Sequence, residues 1–558
     1  MRYLQLFLFC CAAPALAQQA PDLLLLNGKI VTVDEQFSIR QAVAIRGERI
    51  VAVGDSERLR ASAGPATRIV DLGGRTVIPG LIDNHNHVIR ATEYWPNEAR
   101  LDGVTSRADA LARLAAKEAA LAEGDWLMTL GGWIETQFTD SRADLTLAEL
   151  DAIAPDRPAF VQAVYDHAYG NTAWFEAMGI PLVLDAASRR AATGLGARVL
   201  RDAQGRITGR LDGGFPMIAL AIERFPPVPA ERQTAAIRTA FGYLNGIGLT
   251  SVFDPGGLGI KQESYGRIAA LANAGELTVR IFHTLSAGVP ATPEEARALV
   301  ERIETARPFQ GSDAFDLIAM GEIYYGPFHW DNELEPRRPT AEDNAVGRAI
   351  LTAAAAGGWS VQTHSMQPET IDNLLDVIAS INADFPLRQL RWSVTHADNI
   401  GAPEIERVRA LGMNLQLRSI SVLGNRAAVF ERFGDAAYHM PPLRLVQDSG
   451  VPFGLGTDGT KAGQIDPFVT LWWAVTGRAL NGQVVLEETL TREEALIAHT
   501  RSNAYLMFQE GRLGALKPGL LADLLVLDRD YLTVPADEIK SIRPVATLVG
   551  GRLVHGSL

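Results

Sequence analysis

The fold of this chain is decided by residues 359–396, WSVQTHSMQPETIDNLLDVIASINADFPLRQLRWSVTH. The short apolar-rich run 359–363 predicts a strand, and so does Arg391 to Thr395. Between them, apolar residues recur at the i, i+3, i+4, i+7 spacing of one helix face. These residues are Ile371, Leu374, Leu375, Ile378 and Ile381. A strand, a helix and a further strand in succession indicate a parallel sheet.

The same alternation extends in both directions from this unit. Downstream, helices are predicted to end at Gly412 and Gly450, and each is followed by a strand. The further predicted strands are 249–253, 279–283, 315–320, 413–417 and 451–456. In a chain of 558 residues, this α/β pattern predicts a (β/α)8 TIM barrel.

Both ends of the chain have a different pattern. Leu23 to Val53 alternates apolar and polar residues, with turns at Asn27-Gly28 and Arg46-Gly47, which is typical of antiparallel strands. LADLLVLDRD (521–530) and ATLVGGRLVHG (546–556) are similar. A small β-sandwich built from both termini is therefore expected.

The predicted domains follow from these patterns. Residues 18–79 and 508–558 are assigned to the sandwich and 80–507 to the barrel. Two segments, near 97–160 and 180–235, are long for βα connections and are expected to be insertions that shape the active-site mouth.

The first 17 residues are typical of a signal peptide. Arg2 is followed by an apolar run, and Ala15-Leu16-Ala17 supplies the small-x-small cleavage pattern. The run is too short for a permanent bilayer anchor. We expect cleavage near Ala17 and a periplasmic or secreted protein without a transmembrane anchor.

Composition narrows the possible partners and ligands. The net charge of −13 argues against nucleic acid, which requires a basic surface. The two cysteines, Cys10 and Cys11, lie in the leader, so the mature chain has no thiolate ligand and no disulfide. Any metal must be bound by His, Asp or Glu side chains.

Five residues are placed where a metal site would form. His85 and His87 in GLIDNHNHV (80–88) point the same way in an extended chain, a pattern that is weak by itself. His364, His396 and Asp458 each follow a predicted barrel strand. Active sites of TIM barrels are built at these strand ends, so the five are predicted to converge.

The residue types indicate hydrolysis. Neutral imidazoles and a carboxylate suit zinc or a similar divalent ion. Such an ion lowers the pKa of bound water to about 7 and polarises a carbonyl. Asp458 is placed to take the proton of the water and pass it to a leaving amine.

Six segments together resemble the amidohydrolase superfamily, in particular the family 3 branch of YtcJ-like metal-dependent hydrolases. They are VIPGLIDNHNHV (77–88), DHAYGNTAWF (166–175), GWSVQTHS (358–365), RWSVTHADNI (391–400), FGLGTDGT (453–460) and KPGLLADLLVLD (517–528). The resemblance, from about residue 23 to the C-terminus, implies a β-sandwich around a metal-bearing barrel. It implies ligands on strand one (His85, His87), strand five (His364) and strand six (His396), and the catalytic, metal-binding aspartate on strand eight (Asp458).

The sequence departs from many relatives on strand four. Where they carry a carboxylated lysine that bridges two metals, this chain has LIAMGEIYYG (317–326), with Ile318 near the lysine position. Glu322, four residues on, is on the same strand face. Either it supplies the bridging carboxylate for two ions, or it is an ordinary strand-end residue beside one ion.

Other candidates have two interpretations each. His167 is either a catalytic residue that holds substrate or stabilises an oxyanion, or a structural loop histidine. Tyr324, Tyr325 and Trp330 form either a substrate wall or packing. Arg418 either binds a substrate carboxylate or forms a surface salt bridge.

The sequence thus predicts an enzyme: a metal-dependent hydrolase of non-peptide carbon–nitrogen bonds in amides, N-substituted formamides or cyclic amides. Lactone or ester hydrolysis and deamination at the same site remain alternatives, as does a ligand-binding barrel without catalysis. The expected partner is a small-molecule substrate, and a homo-oligomer is left open.

Overall fold

The computed structural model describes residues 20–257, 260 and 262–558. The predicted signal peptide, residues 1–17, lies outside the described residues. Across the described ranges, no helix has both the length and the apolar character needed to cross a bilayer.

The centre of the molecule is a parallel barrel. Within the described residues its eight strands are β1 (Leu81–Asp83), β2 (Leu249–Asp254), β3 (Arg280–Ser286), β4 (Phe315–Gly321), β5 (Ser360–Ser365), β6 (Ser393–His396), β7 (Asn414–Arg418) and β8 (Phe453–Gly456). They neighbour one another in this order. The prediction of a (β/α)8 barrel is confirmed.

Helices cover the outside of the barrel. Their apolar faces pack on the strands, and Ile371, Leu374 and Ile378 on the helix after β5 are fully buried. The helices are Ala230–Gly246, Gln262–Asn273, Pro293–Thr305, Gly326–His329, Ala341–Ala356, Pro368–Asn382, Ala402–Leu411, Ala427–Phe433, Leu443–Ser449, Pro467–Thr476, Arg492–Ala498 and Arg501–Leu506. Short 3₁₀ turns follow β7 at Ile420–Leu423 and Gly434–His439.

The barrel closes between β1 and β8 through bonds beyond the strand ends. The Asp458 amide donates to the His85 carbonyl at 2.9 Å, and the His87 amide donates to the Gly459 carbonyl at 2.7 Å. Lower in the seam, the Asn503 side chain donates to one backbone carbonyl of each strand. Closure therefore brings the segment after β1 against the segment after β8.

Both termini build the β-sandwich, as predicted. Over the described ranges, one sheet has four strands, in the order Arg49–Gly54, Ala42–Arg46, Leu23–Leu26 and Arg68–Asp71. The other has six, in the order Arg552–Gly556, Pro544–Val549, Leu524–Leu527, Thr76–Pro79, Lys29–Val31 and Ile39–Arg40. Leu25 and Val43 of the first sheet share a buried cluster with Leu524 and Leu548 of the second. Helix Ser56–Arg60 and the 3₁₀ turn Ala536–Ser541 complete these segments.

A separate sheet is inserted between β1 and β2, and we call residues 88–229 the inserted unit. The strands of this sheet, in spatial order, are Val199–Arg201, Ile207–Asp212, His167–Gly170, Ala159–Ala163 and Leu127–Leu130. Its helices and 3₁₀ turns are Val88–Ala91, Trp95–Asn97, Arg107–Ala120, Glu135–Gln137, Leu147–Ile153, Thr172–Ala177, Ala186–Ala191, Gly194–Arg198 and Gly214–Ile222. The stretches near 97–160 and 180–235 meet in this sheet, together with residues between them.

A buried ion pair joins the sandwich to the barrel. Arg280, the first residue of β3, donates to both carboxylate oxygens of Asp523, at 2.7 and 3.0 Å. Both side chains are less than a tenth exposed. Burial opposes the charge on Arg280, but Asp523 outweighs burial and raises the pKa of the guanidinium. Each charge therefore depends on the other.

We expect Arg280→Met to destabilise the fold by about 3–5 kcal/mol, because it leaves the Asp523 carboxylate buried without its cation. The double variant Arg280→Met/Asp523→Leu should recover most of that loss. Chemical denaturation measures both, with Arg297→Met, which removes an exposed pair with Glu294, as the unaffected control. A double variant no more stable than the single one would contradict this account.

Candidate metal centre

Six side chains converge at the carboxyl ends of the barrel strands, and each is less than a tenth exposed. They come from the ends of five strands: β1, β4, β5, β6 and β8. The six are His85, His87, Glu322, His364, His396 and Asp458. The structure thus brings together every side chain that the sequence proposed as a metal ligand.

Glu322 lies at the centre of the cluster. Its Oε2 is 3.2 Å from His396 Nε2 and 3.4 Å from His364 Nδ1. The same oxygen is 3.4 Å from His85 Nε2, whereas Oε1 is 3.4 Å from His87 Nε2. The two oxygens of one carboxylate therefore face all four imidazoles, which favours a ligand position over an ordinary strand-end position.

Asp458 is held in one orientation. Its Oδ2 accepts a hydrogen bond of 2.7 Å from Arg418 Nη1. Its Oδ1 faces the cluster, 3.4 Å from His87 Nε2 and 3.8 Å from His85 Nε2. Arg418 is itself fixed by Asp398, at 2.6 Å. One oxygen of Asp458 is thus directed at the histidines and the other at the guanidinium.

The donor set fits a divalent cation. Both ring nitrogens of His85 and the Nδ1 atoms of His364 and His396 are buried and lack a hydrogen-bond partner in the part of the chain that the structure describes. His87 Nδ1 bonds the Gly256 carbonyl at 2.7 Å, which leaves Nε2 to face the carboxylates. Two triads have ligand atoms within 4.8 Å of one another: His85, Glu322 and His396, and His85, His87 and Asp458.

Burial and charge set the protonation of the cluster. Burial lowers the pKa of His85 to about 3, and burial together with Arg418 lowers that of His396. Burial opposes ionisation of Glu322, but the surrounding histidines outweigh it and hold the pKa of its carboxyl well below the usual value. Burial also acts to lower the pKa of His364, but Glu322 outweighs burial and raises it. The neutral imidazoles of His85 and His396 beside an ionised carboxylate are the forms that bind metal.

Two residues of the cluster have unusual backbone conformations. The φ angles are +72° at His396 and +53° at Asp458, in the left-handed region that residues other than glycine seldom adopt. Such conformations persist where the surrounding structure enforces them, and they concentrate at functional sites.

A cavity of about 600 Å³ opens above the cluster. The barrel forms its floor, with His87, Glu322, His364, His396 and Asp458 exposed to it. The inserted unit and the loop after β4 supply its aromatic wall, namely Tyr165, Phe215 and Trp330. The volume is in the range of small-molecule sites.

The predicted substrate residues are placed differently from one another. Trp330 and Arg418 line the cavity. Tyr324 and Tyr325 do not: Tyr324 is fully buried with its hydroxyl 3.3 Å from Thr363, so packing is the interpretation that the structure favours for the two tyrosines. Arg418 is buried and paired with three carboxylates, so the protein itself neutralises its charge.

His167 lies outside the cavity lining. It begins a strand of the inserted unit, and its ring nitrogens bond Asp166 at 3.0 Å and Glu135 at 3.2 Å. Burial lowers its pKa, but these two carboxylates outweigh burial and raise the pKa to about 9. The contacts favour the structural interpretation of this histidine.

Sequence reasoning missed several residues of the site. Arg90, Tyr165 and Phe215 line the cavity, and Asp398 holds Arg418. Asp398 lies two residues after His396, just past the end of a predicted strand. Its position at a strand end could therefore have identified it as a site residue. Nothing local marks Tyr165 or Phe215, because they reach the cavity through the inserted unit.

Comparison with known proteins agrees with this geometry. A family model described as "Amidohydrolase family" matches residues 68–555. N-substituted formamide deformylase of Arthrobacter pascens is 25% identical and aligns with 96% of this chain and 98% of its own length. Putative amidohydrolase YtcJ of Bacillus subtilis (strain 168) is 26% identical, over 95% and 98%. The crystal structure of an uncharacterized metal-dependent hydrolase from Pyrococcus horikoshii OT3 has a TM-score of 0.64 at 21% identity, covering 92% of this chain and 99% of that one, and shares the fold.

We expect His167→Gln to destabilise the fold by up to about 3 kcal/mol near pH 6. Because the folded-state pKa of His167, about 9, exceeds the ordinary value of 6.5, its stabilisation is complete below pH 6.5 and is lost as the pH rises through about 9. Urea unfolding at pH 6 and pH 10 measures the difference, with the exposed His439→Gln as control. A loss that stays constant across this range would contradict the ion pairs.

Proposed function

We propose that this chain, which belongs to the amidohydrolase family and is a metal-dependent hydrolase of carbon–nitrogen bonds, acts on small amides such as N-substituted formamides or cyclic amides. The observation that carries the proposal is the cluster of four imidazoles and two carboxylates on the floor of a cavity of about 600 Å³. The similarity to a formamide deformylase over nearly the whole chain supports this substrate class.

The ligand set supports two ions, for which zinc is our proposal. Six donor side chains exceed the four that one tetrahedral zinc takes. His85, His87 and Asp458 would hold one ion, and His364 and His396 the other, with Glu322 between them. Glu322 Oε1 faces His87, and Oε2 faces His85, His364 and His396, so Glu322 would lie between the two sets of ligands.

When bound, the metal supplies a water of lowered pKa and polarises the carbonyl of the substrate. Asp458 Oδ1 faces the point where the histidines converge, so it is placed to accept the proton of the attacking water and deliver it to the departing nitrogen. Arg418 keeps Oδ2 occupied and thereby fixes the direction of Oδ1.

We propose that the protein is exported and cleaved after Ala17. The support is the basic, apolar and small-residue pattern of residues 1–17.

Metal content and turnover should fall together when the cluster is broken. We expect two ions per chain in the purified protein by elemental analysis, and one or none in Glu322→Gln and His364→Ala. Both variants, and chelator-treated protein, should lose hydrolysis of N-benzylformamide, because the water is then no longer activated. Asp458→Asn should lower kcat roughly 10²–10⁴-fold.

The matched control is His439→Ala, which removes an exposed histidine and should keep both metal and turnover. Undiminished hydrolysis in His364→Ala would reject the metal site. Turnover of benzyl formate or an aminopurine without turnover of the amide would reject the substrate class in favour of ester cleavage or deamination.

Export is tested by expressing the full chain in a Gram-negative host and sequencing the N-terminus of the protein from the periplasmic fraction. We expect it to begin at Gln18. An intact leader on protein retained in the cytoplasm would contradict the proposal.

A further inference from the structure

Arg90 places a positive charge in the wall of the cavity, near the metal cluster. It lies on the short helix after His87 and lines the cavity together with that residue. Among the described residues it forms no ion pair with a carboxylate: its Nη2 donates to the neutral Tyr165 hydroxyl at 2.6 Å, and its buried Nε has no partner. A guanidinium in a cavity wall without an anion is unusual.

The carboxylate near Arg90 is hydrogen-bonded elsewhere. Asp254 accepts hydrogen bonds from the backbone amides of Ile89 and Gly256 at 2.7 and 2.8 Å, and its pKa is raised by burial although the charge of Arg90 acts against that shift. A second cation lies close by, since burial and the charge of Arg90 lower the pKa of Lys461 to about 8.

Arg90 and Gly257 line the same cavity of about 600 Å³ as the metal cluster. Gly257 packs closely on its neighbours: it has a φ of +114°, and a Cβ there would lie 3.2 Å from Arg90 Nη1 and 3.3 Å from His87 Nδ1. A side chain at position 257 would therefore crowd both the guanidinium and the histidine.

The other arginine in the cavity wall is not available in the same way. Arg418 is paired with Asp398 at 2.6 Å, with Asp458 at 2.7 Å and with Glu333 at 3.4 Å. The sequence singled out Arg418 as a candidate for binding a substrate carboxylate, but its charge is neutralised by the protein. Arg90 is the arginine of this wall whose charge is left for a ligand.

An aromatic row begins at the residue that Arg90 contacts. The rings of Tyr165 and Phe215 have centroids 5.3 Å apart, and those of Phe215 and Trp330 are 6.4 Å apart. All three line the cavity and are partly exposed to it. An apolar group of the ligand would bury its surface on this row.

We propose that Arg90 binds a carboxylate of the substrate. The preferred substrates are then apolar amino acids that carry an acyl group on nitrogen, such as N-formyl-phenylalanine. The inference rests on the proposed function and deepens it. In the reaction, the water oxygen bonds to the formyl carbon, the carbon–nitrogen bond breaks and the nitrogen takes up a proton. The products are formate and the free amino acid, whose carboxylate stays on Arg90 until release.

Binding of two matched ligands tests the subsite without turnover. Calorimetry compares 3-phenylpropionate with 3-phenylpropanamide, which differ in charge but share the phenyl group. We expect wild-type protein to prefer the carboxylate roughly 10- to 100-fold, as for a charge-assisted hydrogen bond. Arg90→Met should bring the ratio of the two Kd values near one, and Arg90→Lys should restore part of it.

Arg238→Met is the matched control, because this exposed arginine pairs with Glu276 outside the cavity lining and should keep the wild-type ratio. The measurement is repeated on chelator-treated protein. If the metal bound the carboxylate, the preference for 3-phenylpropionate would disappear in chelator-treated protein and persist in Arg90→Met. That result, or a wild-type ratio near one, would overturn the proposal. Circular dichroism confirms that each variant is folded.

Turnover separates this inference from the proposed function. We expect kcat/KM for N-formyl-phenylalanine to exceed that for N-(2-phenylethyl)formamide, and Arg90→Met to abolish the difference. If neither amide is hydrolysed while the binding preference still depends on Arg90, the carboxylate subsite stands and the proposed reaction fails. Equal turnover of both amides by wild-type protein would contradict the subsite alone.

Discussion

The carboxylate of Asp83, at the end of β1, holds the two sides of the barrel seam together. It accepts hydrogen bonds from the Thr457 hydroxyl at 2.6 Å and from the amides of Thr457 and His85 at 3.1 Å. Because the segments after β1 and β8 are joined here, His85 and Asp458 come within reach of each other although they are 373 positions apart in the sequence. The remaining cluster residues depend on this closed ring, since β4, β5 and β6 can present Glu322, His364 and His396 to the same point only when the barrel is complete.

The buried charges around Asp458 are paired with one another. Asp458 is held by Arg418, and Arg418 by Asp398, so the carboxylate that faces the histidines has a fixed direction. Burying one member of such a chain without its partner would cost several kcal/mol, so these contacts form as a set. The same reasoning makes Arg90 exceptional, because the described residues provide it with a neutral tyrosine hydroxyl in place of an anion.

The barrel and the inserted unit contribute different properties. The strand ends supply the six residues that we propose bind metal, and these share the ring of the barrel. The inserted unit contributes Tyr165 and Phe215, which with Trp330 form the aromatic wall of the cavity. Under the proposed function, changes in residues 88–229 would alter the cavity wall and leave the cluster unchanged.

The sequence by itself determined the barrel, the terminal sandwich and the membership of His85, His87, His364, His396 and Asp458 in one cluster. It could do so because strand periodicity and position at a strand end are local properties of the chain. Only the tertiary structure decided that Glu322 lies between the histidines and that Tyr324 and His167 make contacts outside the cavity. It also decided that Arg418 is paired with carboxylates and that Arg90 is not. These outcomes depend on which residues, distant in sequence, are buried together. Folding brings such hydrogen-bond and charge partners together, and they leave no pattern in the neighbouring sequence.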